Sequence, residues 1–249
     1  MSFGRCQRGD VYVLVHGAWH TGDLLEDVAG HIRAAGHECY CPTVAGNRPG
    51  DDRSKVGLSE AAQSIVDFIN EKDLSNVRLL GHSYGGMVIS KVVDTIPEKI
   101  RRLIYWCAFV PLNGESLVDM CPPHYVELFN QIAAQNNGAV MLPFPIWREA
   151  FINDADLALA QAAYDKLNPH PYKTMTDPIS LSAELATLEV GKSFLNCQQE
   201  TSLPQSLPWH PRLSERLGLF RLAELPGSHE VCFTNPKLLA QKIIEAGRD

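Results

Sequence analysis

The sequence predicts an α/β protein: a mostly parallel sheet of six or more strands, helices on both faces, and an inserted helical cap over the strand ends. Three observations carry that prediction. Short apolar runs alternate with longer amphipathic segments along most of the chain, the pattern of a parallel sheet covered by crossover helices. A serine stands between glycines at a strand-to-helix junction, in Gly81-His82-Ser83-Tyr84-Gly85. The alternation then stops once, from Pro111 to about Gly191, in a stretch rich in proline. A chain of 249 residues fits one large domain with an insertion, with 1–110 and 192–249 as core and 111–191 as cap. It is long enough to bury most of its surface in one core.

The elements follow in order. Val11–Val15 is an apolar run and the first strand, and it opens into the loop His16-Gly17-Ala18-Trp19-His20. Helical periodicity over Leu24–Ala35 leads to a second strand at Glu38–Cys41, and a second helix over Ser59–Asn70 leads to a third at Val77–Leu80. The helix Tyr84–Ile96 follows, its buried side made of Met87, Val88, Ile89, Val92 and Val93. Leu103–Ala108 is the fourth strand. Within the insertion, helical pieces fall at Tyr125–Gln135 and Ala155–Leu167. The alternation resumes with a strand at Ser193–Cys197, a helix at Trp209–Leu217, a strand at Leu219–Glu224 and a last helix at Pro236–Ala246. Pro236 suits a first helical turn, where its missing N–H would be unpaired anyway.

Composition narrows the function. Hydrophobic residues make up 45% and charged residues 20%, as in a globular domain, and the formal net charge of −7 disfavours nucleic acid or an anionic membrane as partner. No apolar run of 18 or more residues exists, so no membrane span is expected, and the first residues lack an apolar signal core. The seven cysteines are odd in number and form no C-x-x-C. They read as free thiols in a reducing compartment, so a cytoplasmic location is expected. No metal-ligand spacing stands out, and no cofactor is called for. The expected partner is a small molecule, bound by a monomer or homodimer.

The chemistry-bearing residues sit where an open α/β sheet collects its sites, at the carboxyl ends of strands. A sharp turn at Ser83 lifts the hydroxyl above the sheet, and only small neighbours at positions 81 and 85 avoid collision. The same turn leaves the Tyr84 N–H at a helix N-terminus, able to hold an oxyanion. His229 follows the last strand in a Pro-Gly loop and is the candidate base. In the loop after Ser193–Cys197, Glu200 is the one carboxylate, and a glutamate can orient a histidine as an aspartate does. Asp119 and Glu115 are the fallback acids. The second oxyanion donor is expected from the Ala18 N–H, with Gly17 letting the backbone turn. Gly17, Trp19 and His20 are the candidates for substrate contact, although Trp19 and His20 also fit packing or scaffold roles. His16 is expected to bond loop backbone.

Together these residues resemble the plant methyl esterase and hydroxynitrile lyase family and its bacterial relatives, within the α/β-hydrolases. The loop HGAWHTGDL is similar to the family's H-G-A-x-H-G-x-W but carries Asp23 where the tryptophan stands. The elbow GHSYGGMV, the strand LIYWCAFVP, and the end with Gly227, Ser228, His229 and Pro236 are similar to the family's. The family's acid loop reads C-x-x-D-x-x-x-P, which places Glu200 of Cys197–Pro204 on the acid position. The family's lyases carry threonine after the first-strand histidine and lysine after the catalytic histidine; this chain has Gly17 and Glu230, and Glu230 is expected to repel a departing anion. The resemblance therefore implies a serine-dependent carboxylic ester hydrolase acting through an acyl-enzyme on a small apolar or aromatic ester, methyl esters among them. Two other readings use the same residues: a cofactor-free lyase, and a non-catalytic protein that binds a small ligand.

Overall fold

The computed structural model describes residues 9–249; Cys6 lies outside them. The central sheet has six strands: β1 (Val11–Val15), β2 (Glu38–Tyr40), β3 (Val77–His82), β4 (Ile100–Trp106), and, after the insertion and its two short strands β5 (Ala139–Val140) and β6 (His170–Pro171), β7 (Gly191–Cys197) and β8 (Arg221–Leu225). Their order is β2-β1-β3-β4-β7-β8. Every pairing within it is parallel. All six residues of β3 are buried, as a strand covered on both faces must be.

Right-handed crossovers decide which helix covers which face. The chain leaves β1 toward β2 through α1 (Glu26–Ala34), then crosses back through α2 (Leu58–Glu71) to β3 and onward through α3 (Gly85–Thr95) to β4. The reversal puts α1 on one face, packed on the C-terminal helix Pro236–Gly247, and α2 with α3 on the other. It also makes the gap between β1 and β3 a topological switch point, where loops diverge and leave a crevice at the strand ends.

Some element limits differ from expectation. β4 begins at Ile100, three residues early, because its alternation survives through Arg101 and Arg102 at the strand's edge. β8 begins at Arg221 and leaves Leu219 91% exposed. The helix expected over Trp209–Leu217 is only a short 3-10 turn at Ser214–Leu217. Pro208 and Pro211 interrupt the helical bonding there, and Trp209 turns inward, its Nε1 donating to Ser202 Oγ at 3.2 Å.

Between β4 and β7 the segment holds α4 (Pro123–Gln135), the antiparallel β5–β6 pair, a π-helical turn at Trp147–Phe151 and a helix at Leu157–Tyr164. Asp156 caps that helix, accepting from Leu159 N at 2.8 Å. Aromatic packing ties the segment to the core. Tyr125 and Phe129 stack at 5.7 Å, and Trp19 meets Phe129 and Phe151 edge-on at 6.0 and 5.7 Å. No helix among the described residues is long and apolar enough to cross a membrane.

Candidate active site

Ser83 directly follows β3 with φ 54°, a left-handed conformation rare outside glycine. The surroundings over-determine it. Ser83 N donates to Trp106 O at 3.2 Å, while Ser83 O accepts from Gly86 N and Phe109 N, each at 3.1 Å. The glycines are sterically required: a Cβ on Gly81 would lie 2.5 Å from Gly85 O, and one on Gly85 would lie 2.7 Å from Val15 O. The strain is thus held between β1, β3 and β4 rather than by the turn alone.

His229 comes from the loop after β8 and its side chain is 1% exposed. Its Nδ1 is hydrogen-bonded to Glu200 Oε2, whose side chain is 7% exposed. Glu200 folds back on its own loop, Oε1 accepting from Ser202 N at 2.5 Å. That turn absorbs the extra methylene of a glutamate. Burial pushes the Glu200 carboxyl up, but the charge and hydrogen bond of His229, with the Ser202 bonds, hold it below its ordinary value. The carboxylate is therefore ionised, and a carboxylate bonded to Nδ1 leaves Nε2 as the basic nitrogen. His229 Nε2 is buried and has no hydrogen-bond partner among the described residues.

The expected fallback acids are engaged elsewhere. Asp119 accepts from Ser116 N and Oγ at 2.8 and 2.6 Å, and Glu115 pairs with Arg216 at 2.6 Å. Near Ser83, neither Ala18 N nor Tyr84 N donates to an acceptor among the described residues, which leaves both amides free to bind an anion.

Ser83, Ala18, Trp19 and Tyr84 line one apolar cavity. Its walls are Phe109, Tyr125, Phe129, Phe151, Leu203 and Trp209, with Ser202 as a further hydroxyl. No charged side chain lines it. Two expected contact residues are absent from that lining. Gly17 packs underneath, where a Cβ would meet His82 Nδ1 at 2.9 Å and Ser83 Cβ at 3.3 Å. His20 is buried behind the loop with both ring nitrogens committed, to Ala18 O at 2.7 Å and Glu230 Oε2 at 2.9 Å. Trp19 faces the cavity and also donates from Nε1 to Val140 O at 3.0 Å. His16 bonds loop backbone: its ring contacts Gly17 O at 2.8 Å and accepts from Val44 N at 3.0 Å.

The expectation for Glu230 is corrected. Its side chain is 1% exposed and turned to His20, so its charge is offset within the protein rather than presented to a departing anion. Sequence reasoning also passed over Ser202 and Trp209. Ser202 Oγ lies 3.3 Å from His229 Nδ1, and the Trp209 ring stacks on His229 at 5.4 Å. Ser202 was findable as the residue two beyond the acid, within reach of a folded-back carboxylate. Nothing local marked Trp209. Three groups of donors are compact enough for a metal ion, although no sequence spacing announced them: His20/Glu230/Cys232, His82/His229/Glu230 and Cys107/Glu200/His229. Each contains His229 or Glu230, already engaged in the contacts above.

The model of the alpha/beta hydrolase family matches residues 12–242. The chain is 30% identical over 250 residues to a carbendazim hydrolyzing esterase of Nocardioides sp. (strain SG-4G), covering 95% of this chain and 99% of that protein. It is 31% identical over 268 residues to salicylic acid-binding protein 2 of Nicotiana tabacum, covering 96% and 97%. An extracellular alpha/beta-hydrolase from a Paenibacillus species, described as sharing structural and functional homology with the tobacco protein, is similar at TM-score 0.92 and 37% identity over 96% of this chain and 100% of that one. The chain belongs to the alpha/beta hydrolase family. Within it, this is an enzyme of the carboxylesterase type, among plant methylesterases and bacterial esterases.

Proposed function

We propose that the protein hydrolyses a small, uncharged carboxylic ester through a covalent acyl-enzyme on Ser83. His229 Nε2 takes the hydroxyl proton as Ser83 Oγ attacks the carbonyl carbon. Glu200 holds the Nδ1 tautomer and offsets the charge of the imidazolium that forms. The amides of Ala18 and Tyr84 receive the oxyanion. The imidazolium then protonates the leaving alcohol, and water repeats the sequence to free the acid. One observation carries this reading: His229, with an ionised carboxylate on Nδ1 and no partner on Nε2 among the described residues, is tied through its carbonyl oxygen to His82, the residue before the elbow serine, at 3.0 Å.

The lining supports the choice of substrate. A cavity with no charged wall penalises any charged acyl or alcohol group that must leave water to enter, whereas its aromatic faces favour flat or branched apolar groups. The segment from 111 to 191 acts as a cap in this reading: Leu117, Tyr125, Phe129, Phe151 and Met175 line the cavity beside Ser83, where apolar side chains would exclude water from the acyl-enzyme's surroundings. The test is a hydrolysis screen of short p-nitrophenyl esters and of aliphatic and aromatic methyl esters, with Ser83→Ala as control. Turnover of neutral esters that vanishes in the variant supports the proposal. Equal turnover by both proteins, or a preference for anionic esters, contradicts it.

A further inference from the structure

We propose that the buried His20–Glu230 pair is a tie that positions the oxyanion loop against the loop of the catalytic histidine, making both its members positioning residues. The inference rests on the assignment of Ala18 and His229 to ester hydrolysis. Both side chains are 1% exposed and their closest contact is 2.9 Å. His20 Nδ1 bonds the carbonyl oxygen of Ala18 at 2.7 Å. A carbonyl and a carboxylate both accept, so a ring that donates to each is an imidazolium facing a carboxylate. Burial pushes the His20 ring toward the neutral form, but the charge and hydrogen bond of Glu230 outweigh it and hold the ring above its ordinary value.

The tie closes a circuit through the site. Bonding Ala18 O fixes the Ala18–Trp19 peptide, just before Trp19, which is held at φ 67°. Holding that strained residue holds the Ala18 N–H in place. On the other side, Glu230 is the residue after His229, and its backbone N donates to Phe151 O and Ser228 Oγ, each at 3.2 Å. The ring of His82 closes the loop. It meets the His20 ring edge-on at 5.8 Å and its Nε2 donates to His229 O at 3.0 Å, while Ser83 is its chain neighbour. A buried ion pair seldom stabilises a protein more than well-packed apolar groups would. Its position here, between an oxyanion donor and a base, gives it a different task.

The experiment replaces the pair without leaving an unpaired buried charge: His20→Phe with Glu230→Leu, beside the single variant Glu230→Gln. Active sites are titrated with a fluorophosphonate so that rates refer to folded enzyme. The double variant should lose about 10- to 100-fold in kcat on a short p-nitrophenyl ester, because a displaced oxyanion donor is felt only in the transition state. KM should stay within about threefold. Affinity for a trifluoromethyl ketone, which forms an oxyanion on Ser83, should fall in the same ratio as kcat/KM. Glu230→Gln should show the same split to a smaller degree. Wild-type kcat and ketone affinity in the double variant would overturn the proposal, as would a rise in KM alone. Absence of ester hydrolysis in the unmodified protein, or its persistence in Ser83→Ala, would instead remove the assignment on which the tie depends.

Discussion

The nucleophile turn and the aromatic wall above it face the same cavity yet are built by opposite means. The turn is local and backbone-made. The backbone at Gly81 meets the first turn of α3, and Gly85 meets the end of β1, so closely that the glycines at 81 and 85 admit no Cβ, and Ser83 is held by three backbone hydrogen bonds. The wall is assembled from side chains of distant segments: Trp19, Tyr125, Phe129 and Phe151 meet through ring contacts of 5.7 to 6.4 Å, and Trp209 meets Phe109 at 4.7 Å. Backbone sterics tolerate no substitution; apolar packing tolerates many. On the proposed function, reaction chemistry belongs to the first region and choice of ester to the second.

The sharpest way to break this division is to attack the chemistry without touching the wall. Glu200→Gln keeps the shape of the acid but cannot offset an imidazolium, so kcat should fall by about 10³- to 10⁴-fold with KM nearly unchanged. A loss seen mainly in KM would place Glu200 in binding rather than catalysis. A change in the turn should come next. Gly81→Ala forces a Cβ to 2.5 Å from Gly85 O, which should cost about 3 kcal/mol in urea unfolding and at least about 100-fold in kcat through misplacement of Ser83. Full activity there would show that the contact between Gly81 and the first turn of α3 can relax.

In the wall the outcome should reverse. Phe129→Ala empties a site that is 3% exposed and should lower stability by about 3 kcal/mol, yet kcat on p-nitrophenyl acetate should change by less than about threefold while the preference between small and bulky esters shifts. A collapse of kcat on the acetate would make the wall part of the chemistry.

The smallest effect on turnover is expected from pH-dependent stability. Burial holds His16 neutral, down to about 4, and holds His82 and His170 well below their ordinary value. Below about pH 6.5 the unfolded chain takes up protons that these folded rings refuse, so each costs about 1.4 kcal/mol of stability per pH unit. His20 acts in the opposite sense. Its raised value gives stability that is present below about pH 6.5 and lost as pH rises through the folded value. Urea midpoints should therefore fall on acidification from about pH 6.5 to 4.5, and a flat profile would contradict the neutral assignment. His16 and His82 flank the turn while His170 lies in β6, between β4 and β7, so His170→Asn should remove only about a third of the slope.

What the sequence disclosed follows the same division. The elbow, β1, the Glu200 loop and His229 were legible because each depends on residues adjacent in the chain: small neighbours around Ser83, an apolar run, a carboxylate three residues past a strand. The partners of His20 were not, since Glu230 lies 210 residues away and its neighbour His229 drew the chemical reading. Trp209 was hidden for a related reason: helical spacing suggested a helix, and only the fold shows it turned onto His229. Which apolar residues of the segment between β4 and β7 face Ser83 depends on packing that no local pattern encodes: Phe129 does, whereas Met141, Leu142, Phe144, Ile146 and Trp147 do not line the cavity.

The claim that joins both regions is that Ser83 is the nucleophile at the floor of the apolar cavity. Labelling the unmodified protein with a fluorophosphonate bearing an apolar chain, followed by peptide mass spectrometry, measures it directly. The account predicts one label per chain, on Ser83, loss of ester hydrolysis in proportion to labelling, and protection by a neutral aromatic ester. A label on another residue, or hydrolysis that survives complete labelling of Ser83, would contradict it.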